Sequence, residues 1–207
     1  MVILIGNIKG GVGKSTLTLA LANYLTQEHR RWVEVLDLDY KQTLVEMQHK
    51  TKILETVPLY TINGKEKKQN DILLAQIKNS PDKILIIDLP SYLSDDTLLH
   101  IITTADLVLC PFSFDQFNIS PTIHFSLIIA NLNPRAALLF IPNRVKGSSL
   151  IEMKSDIEKV LSNFGPTSTA IRDKIDFQRV TNINTPVSLL PVIMPVFDSI
   201  YDQYIYK

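Results

Sequence analysis

Cysteine is almost missing from the sequence: Cys110 is the only one in 207 residues. A lone thiol excludes an intramolecular disulfide and any multi-cysteine metal or cluster site within one chain. Net charge is missing too, since 21 basic side chains balance 21 acidic ones. With no global basic field, any nucleic-acid contact must come from a local patch. No stretch reaches the roughly 18 apolar residues of a membrane-spanning helix. The start, MVILIGNIKGG, does not read as a secretory leader, because glycines and a lysine follow closely on Met1. A cytoplasmic location is the expectation. The histidines at 29, 49, 100 and 124 show no catalytic or metal spacing with Cys or Glu.

Glycine is scarce as well, with seven in the chain, yet four of them fall at 6, 10, 11 and 13. That concentration directs attention to GNIKGGVGKST (6–16), set between the apolar run VILIG and the helical pattern STLTLALANYLTQ. Further apolar runs are WVEVLDL (32–38), VPLYTI (57–62), KILIIDL (83–89), DLVLCPF (106–112) and AALLFIP (136–142). Unbroken Val/Ile/Leu runs suit strands buried on both faces, as in a parallel sheet under helices. Helices are expected near 66–79, 94–104, 115–132 and 149–163. The alternation predicts an α/β fold, a doubly wound and mostly parallel sheet with helices on both faces. VPLYTI is either an edge strand or part of a loop. A single domain over 1–207 is expected, since no linker, repeat or composition break appears. In 167–191 a short strand is expected among Pro-punctuated loops. The tail places Phe197, Ile200, Tyr201, Tyr204 and Ile205 on one helical face, with Asp198 and Asp202 opposite.

A glycine loop that follows the first strand and opens the first helix is suited to phosphate. Glycines let backbone amides approach the anion, and the helix N-terminus adds unpaired amides and the positive dipole end. Lys14 is placed to reach β- and γ-phosphates, and the Ser15 hydroxyl to ligate Mg²⁺. The generic pattern G-x-x-x-x-G-K-[ST] is not met, because Ile8 stands where it requires glycine. A second lysine, Lys9, stands five residues before Lys14.

KGGVGKST matches the deviant Walker A motif, and at this point the chain resembles the ParA/MinD family of P-loop ATPases. The resemblance implies the P-loop NTPase fold, ATP and Mg²⁺ as ligands, and hydrolysis by a nucleotide-sandwich homodimer. It implies that Lys9, Gly10, Gly11, Val12, Gly13, Lys14, Ser15 and Thr16 hold the nucleotide. Lys9 would be the signature lysine, reaching phosphates bound by the other subunit, as an arginine finger does. KILIIDLPS ends a buried run in Asp88, the expected Mg²⁺ carboxylate, where relatives read D-T-P. WVEVLDLDYKQT carries Asp37 and Asp39 two residues apart and so on the same strand face. By resemblance to D-x-D-P-Q, Asp39 is the hydrolytic residue and Asp37 stands near the metal shell, with Tyr40-Lys41 replacing Pro-Gln. Asn143, after AALLFIP, is either the residue reading the adenine edge or an ordinary turn residue. Cys110 reads as a small buried apolar residue.

The branches of the family differ in legible ways. One cysteine cannot supply the cluster ligands of an iron protein. The tail carries Asp198 and Asp202 with only Lys207 basic, unlike the basic membrane helix of MinD-like proteins. RDKIDFQR (172–179) looks like the basic segment of ParA-type proteins. Arg172, Lys174 and Arg179, with Lys154 and Lys159, either contact non-specific DNA or form a solvated, charge-balanced face. The resemblance therefore implies a partition ATPase with a ParB-like centromere-binding partner and no membrane contact. The alternatives are an ATP-dependent ligase of the dethiobiotin or cobyrinate synthetase type, and a bacterial tyrosine kinase suggested by Tyr201, Tyr204 and Tyr206.

Overall fold

The structure, a computed structural model, describes residues 1–53, 57–80, 82–93, 96–114, 116–146 and 151–206. The starts of the helices expected at 94, 115 and 149, and Lys207, lie outside the described residues. Six strands form one sheet in the order β3-β2-β4-β1-β5-β6. They are β1 (Val2–Ile5), β2 (Trp32–Asp37), β3 (Thr61–Asn63), β4 (Lys83–Asp88), β5 (Leu107–Phe112) and β6 (Ala137–Pro142). Every pairing is parallel. The expected α/β fold is therefore the observed one.

The unbroken apolar runs are explained by burial on both faces. Ile3, Ile5, Ile84, Ile86, Leu107 and Leu109 join one core. Their alternates Val2, Leu4, Leu85, Ile87, Val108 and Cys110 join the other. α1 (Lys14–Gln27), α2 (Thr43–Ile53) and α7 (Leu190–Ile200) contribute to the first core. α3 (Lys67–Lys78), α4 (Asp96–Ile102), α5 (Gln116–Leu132) and α6 (Ile151–Leu161) contribute to the second. Cys110 is fully buried in the second core, the place expected of a small apolar residue.

Of the two alternatives for VPLYTI the edge strand is the one observed: β3 begins at Thr61 and pairs with β2 from Glu34 to Leu36. Two local expectations need correction. The possible strand in 167–191 is reduced to two isolated bridges, Phe140 with Thr167 and Val145 with Arg172. A short 3-10 turn at Ile175–Arg179 follows. The tail helix starts earlier than its apolar pattern suggested, at Leu190, and its last turn widens to a π-helix over Tyr201–Ile205. Phe197, Ile200, Tyr201 and Ile205 are buried as expected, with Asp198 and Asp202 exposed. Tyr201 stacks on His29, ring centroids 3.4 Å apart, which docks the tail on the end of α1.

β1 and β4 are neighbours whose connections run to opposite sides of the sheet, β1 to β2 and β4 to β5. In open α/β sheets, ligands bind beyond the carboxyl ends of the strands at such a point. There the glycine loop leaves β1, and Asp37, Asp88 and Asn143 end or follow β2, β4 and β6.

Candidate nucleotide site

The loop between β1 and α1 is held open by its own residues. Gly13 caps α1 with φ +91°, and a Cβ there would lie 2.5 Å from Asn143 Nδ2. Gly11 also has positive φ, +80°. Only glycine accepts this combination of left-handed backbone and close approach without strain. The first amides of α1, around Lys14, Ser15 and Thr16, have no acceptor within the helix and face the loop's concavity. Asn7 fixes the other limb of the loop. It is buried, donates to Pro111 O (3.0 Å) and Thr122 Oγ1 (2.9 Å), and accepts from the Lys9 amide (2.9 Å).

The two lysines differ in surroundings. Lys14 is 7% exposed and donates to Ser91 Oγ at 2.7 Å, and at 3.4 Å to Lys9 O. Burial holds its ammonium below the usual range, while Asp88 and Asp39 pull it upward. Lys9 is half-buried on the loop rim, and its ammonium makes no hydrogen bond or ion pair among the described residues. It lines a 330 Å³ cleft with Arg144 and Lys146.

Three carboxylates converge on the same end of the sheet. Asp37 and Asp88 are register partners across β2 and β4. Asp88 is 1% exposed, its Oδ1 lies 3.4 Å from the Thr18 hydroxyl, and its Oδ2 is buried without a partner. Burial pushes this carboxyl up to about 7, the Ser15 hydroxyl and Lys14 opposing, Asp37 and Asp39 adding to the rise. Asp37 is occupied differently. Its Oδ1 accepts from the Asp39 amide (3.1 Å) and its Oδ2 from the amides of Leu44 (2.9 Å) and Val45 (3.4 Å). It thus satisfies orphan donors at the start of α2. Burial raises its carboxyl despite these donors. Asp39 lies in the following turn, half-buried, with the Lys41 amide donating to its Oδ1 at 3.0 Å.

Asn143 braces the loop, donating from Nδ2 to Val12 O at 2.8 Å. Arg144, left-handed at φ 58°, donates to Gly11 O at 2.9 Å and lies 3.6 Å from Asp173. Beside them a 500 Å³ cleft is lined by Gly13, Thr16, Leu17, Asn143 and Ile175, with Lys174 at its edge. Its mixed lining of backbone, polar and apolar groups suits a flat heteroaromatic ring. Of the other expected DNA residues, Arg179 pairs with Asp176 (3.1 Å) and Lys174 donates to Ser188 O (3.0 Å). Arg172 is exposed and makes no side-chain ion pair among the described residues.

Asn7, Thr18, Ser91 and Arg144 were missed by sequence reasoning. Ser91 follows the Asp-Leu-Pro that ends β4 and Arg144 follows Asn143, so adjacency to residues already singled out was an available signal. Asn7 lies inside the quoted glycine stretch and carried the same signal, whereas Thr18 carried none.

The sequence pattern of the CobQ/CobB/MinD/ParA nucleotide binding domain matches residues 3–182. The chain belongs to this family. It is thereby a relative of the ParA/MinD-type ATPases, as the glycine loop implied. No curated protein sequence matches it significantly. Among solved structures, a putative plasmid partition protein of Borrelia burgdorferi bound to AMPPNP is similar, with TM-score 0.75 and 19% identity, covering 98% of each chain. McdA of Cyanothece gives 0.74 at 17% identity, over 97% of this chain and 98% of that one. The Aquifex aeolicus chain from the MinC:MinD complex gives 0.73 at 18%, over 100% and 98%. These likenesses carry the fold. Among the described residues, no helix is long and apolar enough to cross a membrane.

Proposed function

We propose that this chain, as one domain over its whole length, is a Mg²⁺-dependent ATPase of the ParA type that dimerises on ATP. The observation that carries the reading is the contrast between the two lysines. Lys14 is turned inward and bonded within the site. Lys9 stands on the rim with an ammonium unengaged among the described residues, as a residue serving a second subunit's phosphates must. The phosphates sit on the amides from Gly10 to Thr16 with Lys14 across them, and the base in the 500 Å³ cleft beside Asn143. The similar Borrelia partition protein was solved with AMPPNP, which supports a nucleoside triphosphate.

The residues present fit a magnesium ion. Asp88 offers a buried, unpartnered oxygen with the Ser15 hydroxyl beside it. Mg²⁺ is commonly held by one or two carboxylates together with substrate phosphates rather than by an all-protein cage. Ser15 and Asp88 would hold it, with Asp37 behind them. When bound, the ion neutralises charge on the phosphate oxygens. Asp39 orients the attacking water from the turn after β2. Hydrolysis to ADP and phosphate then dissolves the dimer.

The cargo reading is partition or positioning of DNA with a ParB-like partner. Support comes from the similar partition protein and from Arg172, which has no ion-pair partner among the described residues. The test is ATP turnover and binding in wild type, Lys14→Ala, Lys9→Ala and Asp39→Ala. Lys14→Ala loses nucleotide binding, whereas Lys9→Ala and Asp39→Ala bind ATP and hardly hydrolyse it. Full turnover in Lys9→Ala defeats the sandwich dimer. DNA affinity that is salt-dependent and requires ATP rather than ADP supports the partition role. Turnover that requires an added carboxylic acid substrate points instead to a ligase.

A further inference from the structure

The turn that carries Asp39 leaves β2 beside the loop that leaves β3. Leu36 and Asn63 are register partners, so residues 38–42 and 64–66 emerge side by side. Within its own segment the turn is held by short local bonds, the first from the Asp39 amide to Asp37 Oδ1 at 3.1 Å. The Gln42 amide donates to Asp39 O at 3.1 Å, the Lys41 amide to Asp39 Oδ1 at 3.0 Å, and Gln42 is left-handed at φ 45°. A left-handed glutamine is strained, and such strain persists only where neighbours impose it. Where the pattern D-x-D-P-Q has proline, the ring fixes φ; Tyr40 supplies no such restraint.

Two contacts from the neighbouring loop supply it. The Lys65 ammonium lies over the Tyr40 ring, 4.5 Å from its centroid, inside the range of a cation–π contact. Gln42 is seated on Gly64 so closely that a Cβ there would lie 3.3 Å from its Oε1. Tyr40 is 58% exposed, so core packing does not account for its position. We propose that Tyr40 and Lys65, with Gln42 on Gly64, form a clasp that positions the Asp39 carboxylate for hydrolysis. Tyr40 and Lys65 are positioning residues. The proposal rests on the reading of Asp39 given above and extends it to a second loop.

The test compares Tyr40→Ala, Tyr40→Phe, Lys65→Met, Lys65→Arg and the double variant Tyr40→Ala/Lys65→Met with wild type. The readouts are kcat, the Kd of a fluorescent ATP analogue, and hydrogen exchange at the Lys41 and Gln42 amides. An exposed cation–π contact corresponds to about two- to fivefold in rate. Tyr40→Ala and Lys65→Met should each lower kcat by about that factor, leave Kd within about twofold, and speed exchange at both amides. The Phe and Arg variants, which keep a ring and a cation, should restore wild-type values. The double variant should be no slower than either single one, since the contact can be lost only once. Losses that multiply in the double variant, or loss of kcat in the Phe and Arg variants, overturn the proposal. Unchanged exchange in Tyr40→Ala overturns it whatever the kinetics show. Asp39→Asn in the same series reports on the underlying reading: full turnover there defeats the role of Asp39 itself, while exchange still judges the clasp.

Discussion

Replacing Asp88 by asparagine should stabilise the nucleotide-free, metal-free protein, increasingly as pH rises from about 4 to about 7. The carboxyl is 1% exposed with one oxygen unpartnered. Burial, with Asp37 and Asp39 adding, raises it from an ordinary 3.8 to about 7. Between these values the folded state holds a proton that the unfolded chain has released, so stability falls as pH rises from about 4 to about 7 and levels off above. At about 1.4 kcal/mol per tenfold change in proton affinity, ionisation costs the folded protein about 4 kcal/mol at pH 8. The replacing amide has no charge to bury. Urea unfolding followed by circular dichroism in EDTA should show the variant's lead over wild type growing by about 3 kcal/mol from pH 5 to pH 8. At pH 8 the variant should lead by about 2–4 kcal/mol, the lower figure allowing for an imperfectly bonded amide. Titration of groups remote from Asp88 is common to both proteins and cancels in the difference. A difference between the two proteins that is the same at pH 5 and pH 8 refutes the reasoning. With Mg²⁺ and ATP the order should invert, because the variant cannot use the ligand's stabilisation.

Other substitutions probe the frame of the site. Gly13→Ala meets both a left-handed φ of +91° and the Asn143 amide at 2.5 Å. It should cost about 2 kcal/mol or more and abolish nucleotide binding, measured by denaturation and by an ATP analogue. Asn7→Ala strands the Lys9 amide and takes the side-chain donor from Pro111 O. A loss of about 2–3 kcal/mol is expected, with faster hydrogen exchange at Lys9. Gln48→Leu keeps volume and removes both hydrogen bonds to the Ile62 backbone. It should cost about 2–3 kcal/mol and raise protease sensitivity in the α2–β3 region, without direct effect on nucleotide affinity.

The legible part of the fold was the part whose burial is apolar. β1, β2, β4, β5 and β6 announce themselves because both faces are covered, so each run is continuously hydrophobic. α2 was missed for the converse reason. Its inward positions include Leu44, Gln48 and Thr51, and two of these three are polar. Gln48 bonds the Ile62 backbone in both directions and Thr51 bonds Asn182, so burial at helical spacing exists without apolar spacing. The start of α7 was hidden by Pro191 and Pro195, which read as loop punctuation but fall inside Leu190–Ile200. Within the site, the glycine loop and Asp88 were legible because phosphate and metal chemistry demand those residue types at those places. Asn7 and Ser91 were not, because their importance comes from partners more than 70 residues away in sequence. Asp37 was placed near the metal by resemblance to D-x-D-P-Q; three backbone amides, two of them from a helix that had not been foreseen, claim its oxygens.

The site holds two buried groups pushed in opposite directions by one cause. Desolvation lowers the Lys14 ammonium and raises the Asp88 carboxyl, so each is driven toward its uncharged form. Their mutual attraction does not offset this, since desolvation remains the largest effect on both. A phosphate anion beside Lys14 and a cation beside Asp88 would each reverse the local penalty, and neither could do so at the other's position. The two ligands therefore favour one another, which a magnesium–nucleotide complex satisfies in a single event. Ser91 adds a mechanical consequence. Its hydroxyl accepts from the Lys14 ammonium at 2.7 Å, three residues after Asp88, so an anion that drew Lys14 away from Ser91 would also release the loop that Asp88 begins.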